Sequence, residues 1–203
     1  MNFSKNIMAM ILFVMSYMGA ALIYALYTSN FEFLLYICIA FVIMVFVTQA
    51  HRKIGFTDIT LWLLATWGFL HMIGGLVPVP ESWPIDGDVR VLYSWWIIPD
   101  MLKYDNFVHA FGFGTTTWCC WQGLKATVKA RKMRPTFGRL ILVVMAGMGL
   151  GAMNEIFEFI AVLTVPNTNV GGYVNNSWDL IFNLIGCVIA ALTIRIAHKG
   201  NHH

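Results

Sequence analysis

Six stretches of the chain read as nearly unbroken apolar runs of about 20 residues, the length an α-helix needs to cross a hydrocarbon core. They fall near 7–27, 31–50, 57–77, 105–124, 138–163 and 177–197. The pattern predicts an all-α, polytopic membrane protein: a six-transmembrane-helix bundle forming one integral domain over 1–203. The first run follows Lys5 as a secretory leader would. It is about twice the length of a leader's apolar region and lacks a clear small-x-small cleavage site, so it reads as a retained helix. The first two runs hold no strongly polar residue away from their edges, with Glu32 at the very start of the second. Both read as lipid-facing scaffold.

Polar positions break the later runs at helical spacing. Asp105 and His109 lie in YDNFVHAFGFG, Glu155 and Glu158 in GAMNEIFEFI, and Asp179 and Asn183 in NNSWDLIFNLIG. Residues three or four apart share one helix face. An ionisable group within an apolar span costs about 2.5–3.5 kcal/mol on insertion-type scales and usually serves a function. No Lys or Arg lies near these acids within the same helices, so a metal ion or protons must neutralise them. Alternatives remain for single residues: Asp105 and Asp179 begin their predicted helices and suit a first-turn or capping role, and Asn183 suits a bond to a neighbouring helix.

Composition and charge set direction and surroundings. The chain is 59% hydrophobic and 11% charged, with a mean hydropathy of +0.69, a membrane composition. Lys5, Arg52, Lys53, Lys125, Lys129, Arg131, Lys132, Arg134, Arg139, Arg195 and Lys199 fall on one side of the six-helix scheme, and only Arg90 and Lys103 on the other. Eleven against two places both termini in the cytoplasm. The net charge of +3 then reflects loops facing anionic lipid rather than a nucleic-acid surface. Cys38, Cys119, Cys120 and Cys187 form no CxxC pattern and read as packing residues. Two outer connections are long: 78–104, rich in Pro, Trp and acids, and 166–176, rich in Asn and Gly. Trp83, Tyr93, Trp95 and Trp96 read most simply as an interfacial aromatic belt, and a short interfacial helix or lid over the site is the alternative.

Depth brings the polar pairs together. At a rise of about 1.5 Å per residue, His109 lies roughly 6 Å, Asn183 and His71 roughly 9 Å, and Glu155 and Glu158 roughly 8–12 Å below the outer ends of their helices. Asp105 and Asp179 sit at the rim of the same slab. The expected site therefore comprises His71, Asp105, His109, Glu155, Glu158 and Asp179 as metal ligands. His109, Glu155, Glu158 and Asp179 are the chief ones, with Asn154 and Asn183 hydrogen-bonding in support. Asp105 is expected to orient the second ring nitrogen of His109. An oxygen-rich set with at most two imidazoles suits a divalent Zn, Mn, Mg, Ca or Fe ion.

At these residues the chain resembles the YjdF-type bacterial inner-membrane proteins and, more distantly, the VanZ-like proteins. FLHMIGG, YDNFVHAFGFG, NEIFEF and NNSWDLIFNLIG carry the resemblance, in that order, over roughly residues 70–186. The VanZ-like pattern tends to have Gln at Glu158 and Lys at Asn106. The resemblance implies a multi-pass cell-envelope protein of the cytoplasmic (inner) membrane and no particular activity. Three functions compete. The first is a metal-dependent enzyme open to the outer face, hydrolysing a lipid or lipid-linked substrate with Glu155 or Glu158 as general base. The second is a small transporter or proton relay, and the third a non-catalytic envelope accessory protein. The scarcity of outer Lys and Arg argues against phosphoryl substrates. Membrane lipids are the expected partners, nucleic acid is not, and composition says nothing of oligomeric state.

Overall fold

A computed structural model describes residues 4–128, 133–165 and 168–200. The basic residues Lys129, Arg131 and Lys132 lie outside the described residues, as does Pro166. The described residues form six long helices: α1 (Lys5–Tyr27), α2 (Phe31–Ile54), α3 (Asp58–Leu76), α4 (Tyr104–Thr127), α5 (Phe137–Thr164) and α6 (Tyr173–Gly200). Three helix starts carry side-chain caps: the side chains of Ser4, Asn30 and Thr57 accept from the amides of Ile7, Phe33 and Thr60, satisfying donors that the first turn leaves free. Gly55, at φ 73°, ends α2 in a left-handed conformation that glycine adopts without penalty.

Five of the six helices are long and apolar enough to cross a membrane; α4 is not among them. This multi-pass protein thus has a sixth helix that length and apolarity alone do not mark as a span. The reason is position. The helix α4 packs against α6, α5, α3 and α2, whereas α1 touches chiefly α3 and α2. A helix screened from lipid by its neighbours can carry Asp105, Asn106, His109 and Gln122; one facing lipid cannot.

Glycines bring α4, α5 and α6 close together. A Cβ on Gly186 of α6 would overlap the carbonyl of Ala110 on α4, and one on Gly114 would stand 3.0 Å from the carbonyl oxygen of Gly186. Backbone therefore meets backbone at this crossing, the arrangement that small residues permit between apolar helices. It sets His109, one residue before Ala110, opposite Asn183, one turn before Gly186. On α5, Gly147 faces Thr117 and Cys187, and Gly151 faces Asn183. That contact carries Glu155, one turn further along, into the same space.

One correction concerns a helix start. α6 starts at Tyr173 rather than 177, so Asp179 lies well inside the helix, fully buried. A capping role for it is removed. The connection after α3 has structure of its own. It holds a 3-10 turn (Leu92–Ser94) and a short antiparallel pair, β1 (Trp96–Ile98) with β2 (Leu102–Lys103). Trp83 and Trp95 pack ring on ring with centroids 4.4 Å apart. Tyr93 turns inward against Gly74.

Beyond the polar residues, toward the C-terminal end of α4, the interior closes. Phe113, Trp121, Leu140, Val143, Cys187 and Ile194 form an apolar cluster there, with Trp67 packed against it. The Thr115 and Thr117 hydroxyls are spent on carbonyls of their own helix.

Candidate metal centre

His109 is the hub. Its Nδ1 lies 3.0 Å from Oδ1 of Asn183, so an Nδ1–H donating to that acceptor leaves Nε2 with its lone pair free. Around Nε2 stand three carboxylate oxygens: Asp105 Oδ1 at 3.6 Å, Asp179 Oδ1 at 3.9 Å and Glu158 Oε1 at 4.0 Å. All three exceed a hydrogen-bond distance. Ligand atoms that each lie about 2.1 Å from one divalent ion stand roughly 3–4 Å from each other. The spacing around Nε2 is of that kind.

Glu155 approaches from the other side of the ring, with Oε1 at 3.8 Å from Nδ1. Its Oε2 accepts from Asn176 at 2.8 Å, while Oε1 is buried without a hydrogen-bond partner, as is Nδ2 of Asn183. The structure thus differs from the expected division of labour. Asn183 orients the imidazole, Asp105 lies on the Nε2 side, and Glu155 lies behind. Groups whose donor atoms fall within 4.8 Å of one another are Asp105, His109 and Asp179, and His109, Glu155 and Glu158.

His71 is in neither group. It shares the cavity wall, but its Nδ1 hydrogen-bonds the Tyr93 hydroxyl, and Phe33 and Tyr36 pack beside its ring. Burial, with the charges of Asp105 and Glu158 next in importance, holds the Tyr93 phenol well above its ordinary pKa, so Tyr93 keeps its proton.

Asparagine amides partly compensate the acids. Asn154 donates to Glu158 at 2.7 Å, Asn175 to Asp179 Oδ2 at 2.7 Å, and Asn106 to Asp179 Oδ1 at 3.5 Å. Sequence reasoning missed Asn106, Asn175 and Asn176. Their signal was there: Asn175 precedes Asp179 by one helical turn, and Asn176 lies on the same face of α6 as Asp179. The two cations of the α3–α4 connection, Arg90 and Lys103, bond elsewhere. Arg90 donates to the carbonyls of Pro80 and Trp83. Lys103 is buried, paired with Asp86 at 3.1 Å and bonded to the side-chain oxygen of Asn175.

Beside Nε2 opens a cavity of about 50 Å³, whose walls include Asp105, His109, Glu158, Tyr93, Glu32 and Tyr36. No Lys or Arg is among its described lining residues. Glu32 and Tyr36 belong to α2, expected to be scaffold alone. Both are buried, and Glu32 accepts from the backbone amide of Asn169 at 2.9 Å. A lone acid at the edge of an apolar run gives no sign of which way it points.

Comparison with known proteins bears on the chain as a whole. Residues 8–200 match the family described as predicted membrane protein (DUF2238). The chain belongs to this family. Membership is consistent with the YjdF-type resemblance and gives no support to the more distant VanZ-like one. No curated protein and no solved structure matches the chain.

Proposed function

We propose that this protein crosses the bacterial inner membrane six times with both termini in the cytoplasm. In this reading it holds one divalent metal ion at an outward-facing site and hydrolyses an acyl ester or amide of a lipid or lipid-linked substrate. The observation that carries the reading is the unbonded Nε2 of His109 with three carboxylate oxygens at 3.6–4.0 Å, while Asn183 fixes the other ring nitrogen. An imidazole held in one tautomer by its far nitrogen is the usual support of a metal ligand.

His109, Asp105 and Asp179 would hold the ion. Bound there, a divalent ion polarises a carbonyl and lowers the pKa of water. Glu158, held by Asn154 and facing the cavity, takes a proton from water and returns it to the leaving group. Glu155 and Asn183 support the imidazole from behind. The inner apolar cluster leaves the pocket open to one side only, which suits an enzyme better than a conduit. The absence of Lys and Arg from the described lining favours an acyl over a phosphoryl substrate.

Metal analysis of the purified protein tests the centre. We expect about one divalent ion per chain and a rise in melting temperature on adding Mn²⁺ or Zn²⁺ to metal-stripped protein. Both should be lost in His109→Ala and Asp179→Asn. If the protein carries no metal and no divalent ion raises its melting temperature, the carboxylates are protonated instead and the centre does not exist.

A further inference from the structure

The α2 side of the cavity is left unused by the metal reading. Tyr36 is 9% exposed and lines the cavity; its hydroxyl meets no partner at full hydrogen-bond geometry, only the looser approach of the Glu32 carboxylate. A buried hydroxyl without a well-placed partner marks a place where a bound group belongs. Next to it Glu32, 8% exposed, has one oxygen on the Asn169 amide and no cation among the described lining residues to balance its charge. Glu158 faces the same space. Phe33, Trp67 and Tyr93 add aromatic rings to the lining, beside the polar Asn169 and the aliphatic Val170.

We propose that this wall is a binding compartment for a primary ammonium group, the head of an amine-bearing lipid or of a small free amine. The inference rests on the hydrolase reading, whose substrate class it names. A second divalent ion is the wrong occupant. Such an ion needs several converging hard donors, and Glu32 joins neither metal-capable group among the described residues. An ammonium fits better, because it donates three hydrogen bonds. The Tyr36 hydroxyl and the carboxylates of Glu32 and Glu158 can accept them, while aromatic faces attract its charge. An anion is disfavoured, since no cation among the described lining residues would meet it. The room is adequate too. One water needs about 10–15 Å³ measured this way, so the cavity of about 50 Å³ holds an ammonium on the α2 side next to a water on the His109 side.

The test uses the full-length protein in nanodiscs, with melting temperature as the readout and bound Mn²⁺ counted on the same samples. In phosphatidylcholine discs, ethanolamine should raise the melting temperature saturably and ethanol should not. Discs containing phosphatidylethanolamine should do the same without added amine if the head group of a lipid is the source. A response to free ethanolamine alone assigns the compartment to small amines. Glu32→Gln should abolish the response while leaving one Mn²⁺ per chain, and Tyr36→Phe should weaken it about tenfold in apparent affinity. Should Glu32→Gln fail to insert, Tyr36→Phe removes only a hydroxyl and carries the same comparison. The proposal is overturned if neither amine source stabilises the wild type. It is equally overturned if wild type binds two Mn²⁺ and a variant one. Loss of Mn²⁺ binding with the amine response intact would sink the metal centre and with it the assignment of the amine to a hydrolysed substrate, leaving only an amine-binding compartment.

Discussion

His109 shows how one amide can decide what an imidazole does. With Nδ1–H given to Asn183, Nε2 alone is left to face Asp105, Asp179 and Glu158. An acceptor at Nδ1, whether amide or carboxylate, holds the ring in the tautomer whose Nε2 can ligate. Replacing Asn183 by Leu should therefore lower divalent-ion affinity roughly 10–100-fold, the usual range for losing a supporting hydrogen bond. Asn183→Asp keeps an acceptor and should retain most of it. Mn²⁺ titration of both variants, with helicity followed by circular dichroism, separates orientation from folding. Equal losses in the two would show that Asn183 acts by packing.

The helices reach the geometry that His109 needs through glycine contacts. Gly186 lies against the Ala110 carbonyl with no room for a Cβ, so Gly186→Ala must push α4 and α6 apart. Overpacking of this kind costs about 1–3 kcal/mol, and here the shift falls one residue from His109 and one turn from Asn183. We expect a lower melting temperature and weakened metal binding together. Gly149 on α5 is the control: nothing stands within 4 Å of a Cβ there, and Gly149→Ala should stay within about 0.5 kcal/mol of wild type. Similar behaviour of the two variants would mean that the crossing does not set the site.

Across the whole protein, the least apolar helix is the most central. The helices α1 and α2 have the smallest buried share among the five apolar spans, 11% and 17% of their spanning windows. By contrast α4, the least apolar, lies in the middle. The proposed topology follows from the basic residues, most of which flank the inner ends of these helices. In a variant without native cysteines, Asp88→Cys should react with an impermeant thiol reagent added to intact spheroplasts, and Lys125→Cys should react only after lysis. The reverse pattern would invert the orientation and place the site on the cytoplasmic face.

Much of this was legible before any coordinates. Run length and apolarity mark five of the six helices, because a hydrocarbon core demands about 20 apolar residues whatever their order; α4 falls short because its polar residues lie between neighbouring helices. The pairs Asp105 and His109, Glu155 and Glu158, and Asp179 and Asn183 stood out because charge is rare in such runs and helical spacing fixes a shared face. The rest depended on directions that spacing does not contain. Helix rotation and crossing decided that Asn183 rather than Asp105 meets Nδ1, that Glu155 stands behind the ring, and that His71 goes to Tyr93. The fold of the outer connection turned Tyr93 inward, and the seating of α2 brought Glu32 and Tyr36 into the cavity. A one-dimensional pattern records which residues share a helix face and at what depth; which faces meet is settled by close packing between helices, through contacts as local as a glycine against a carbonyl.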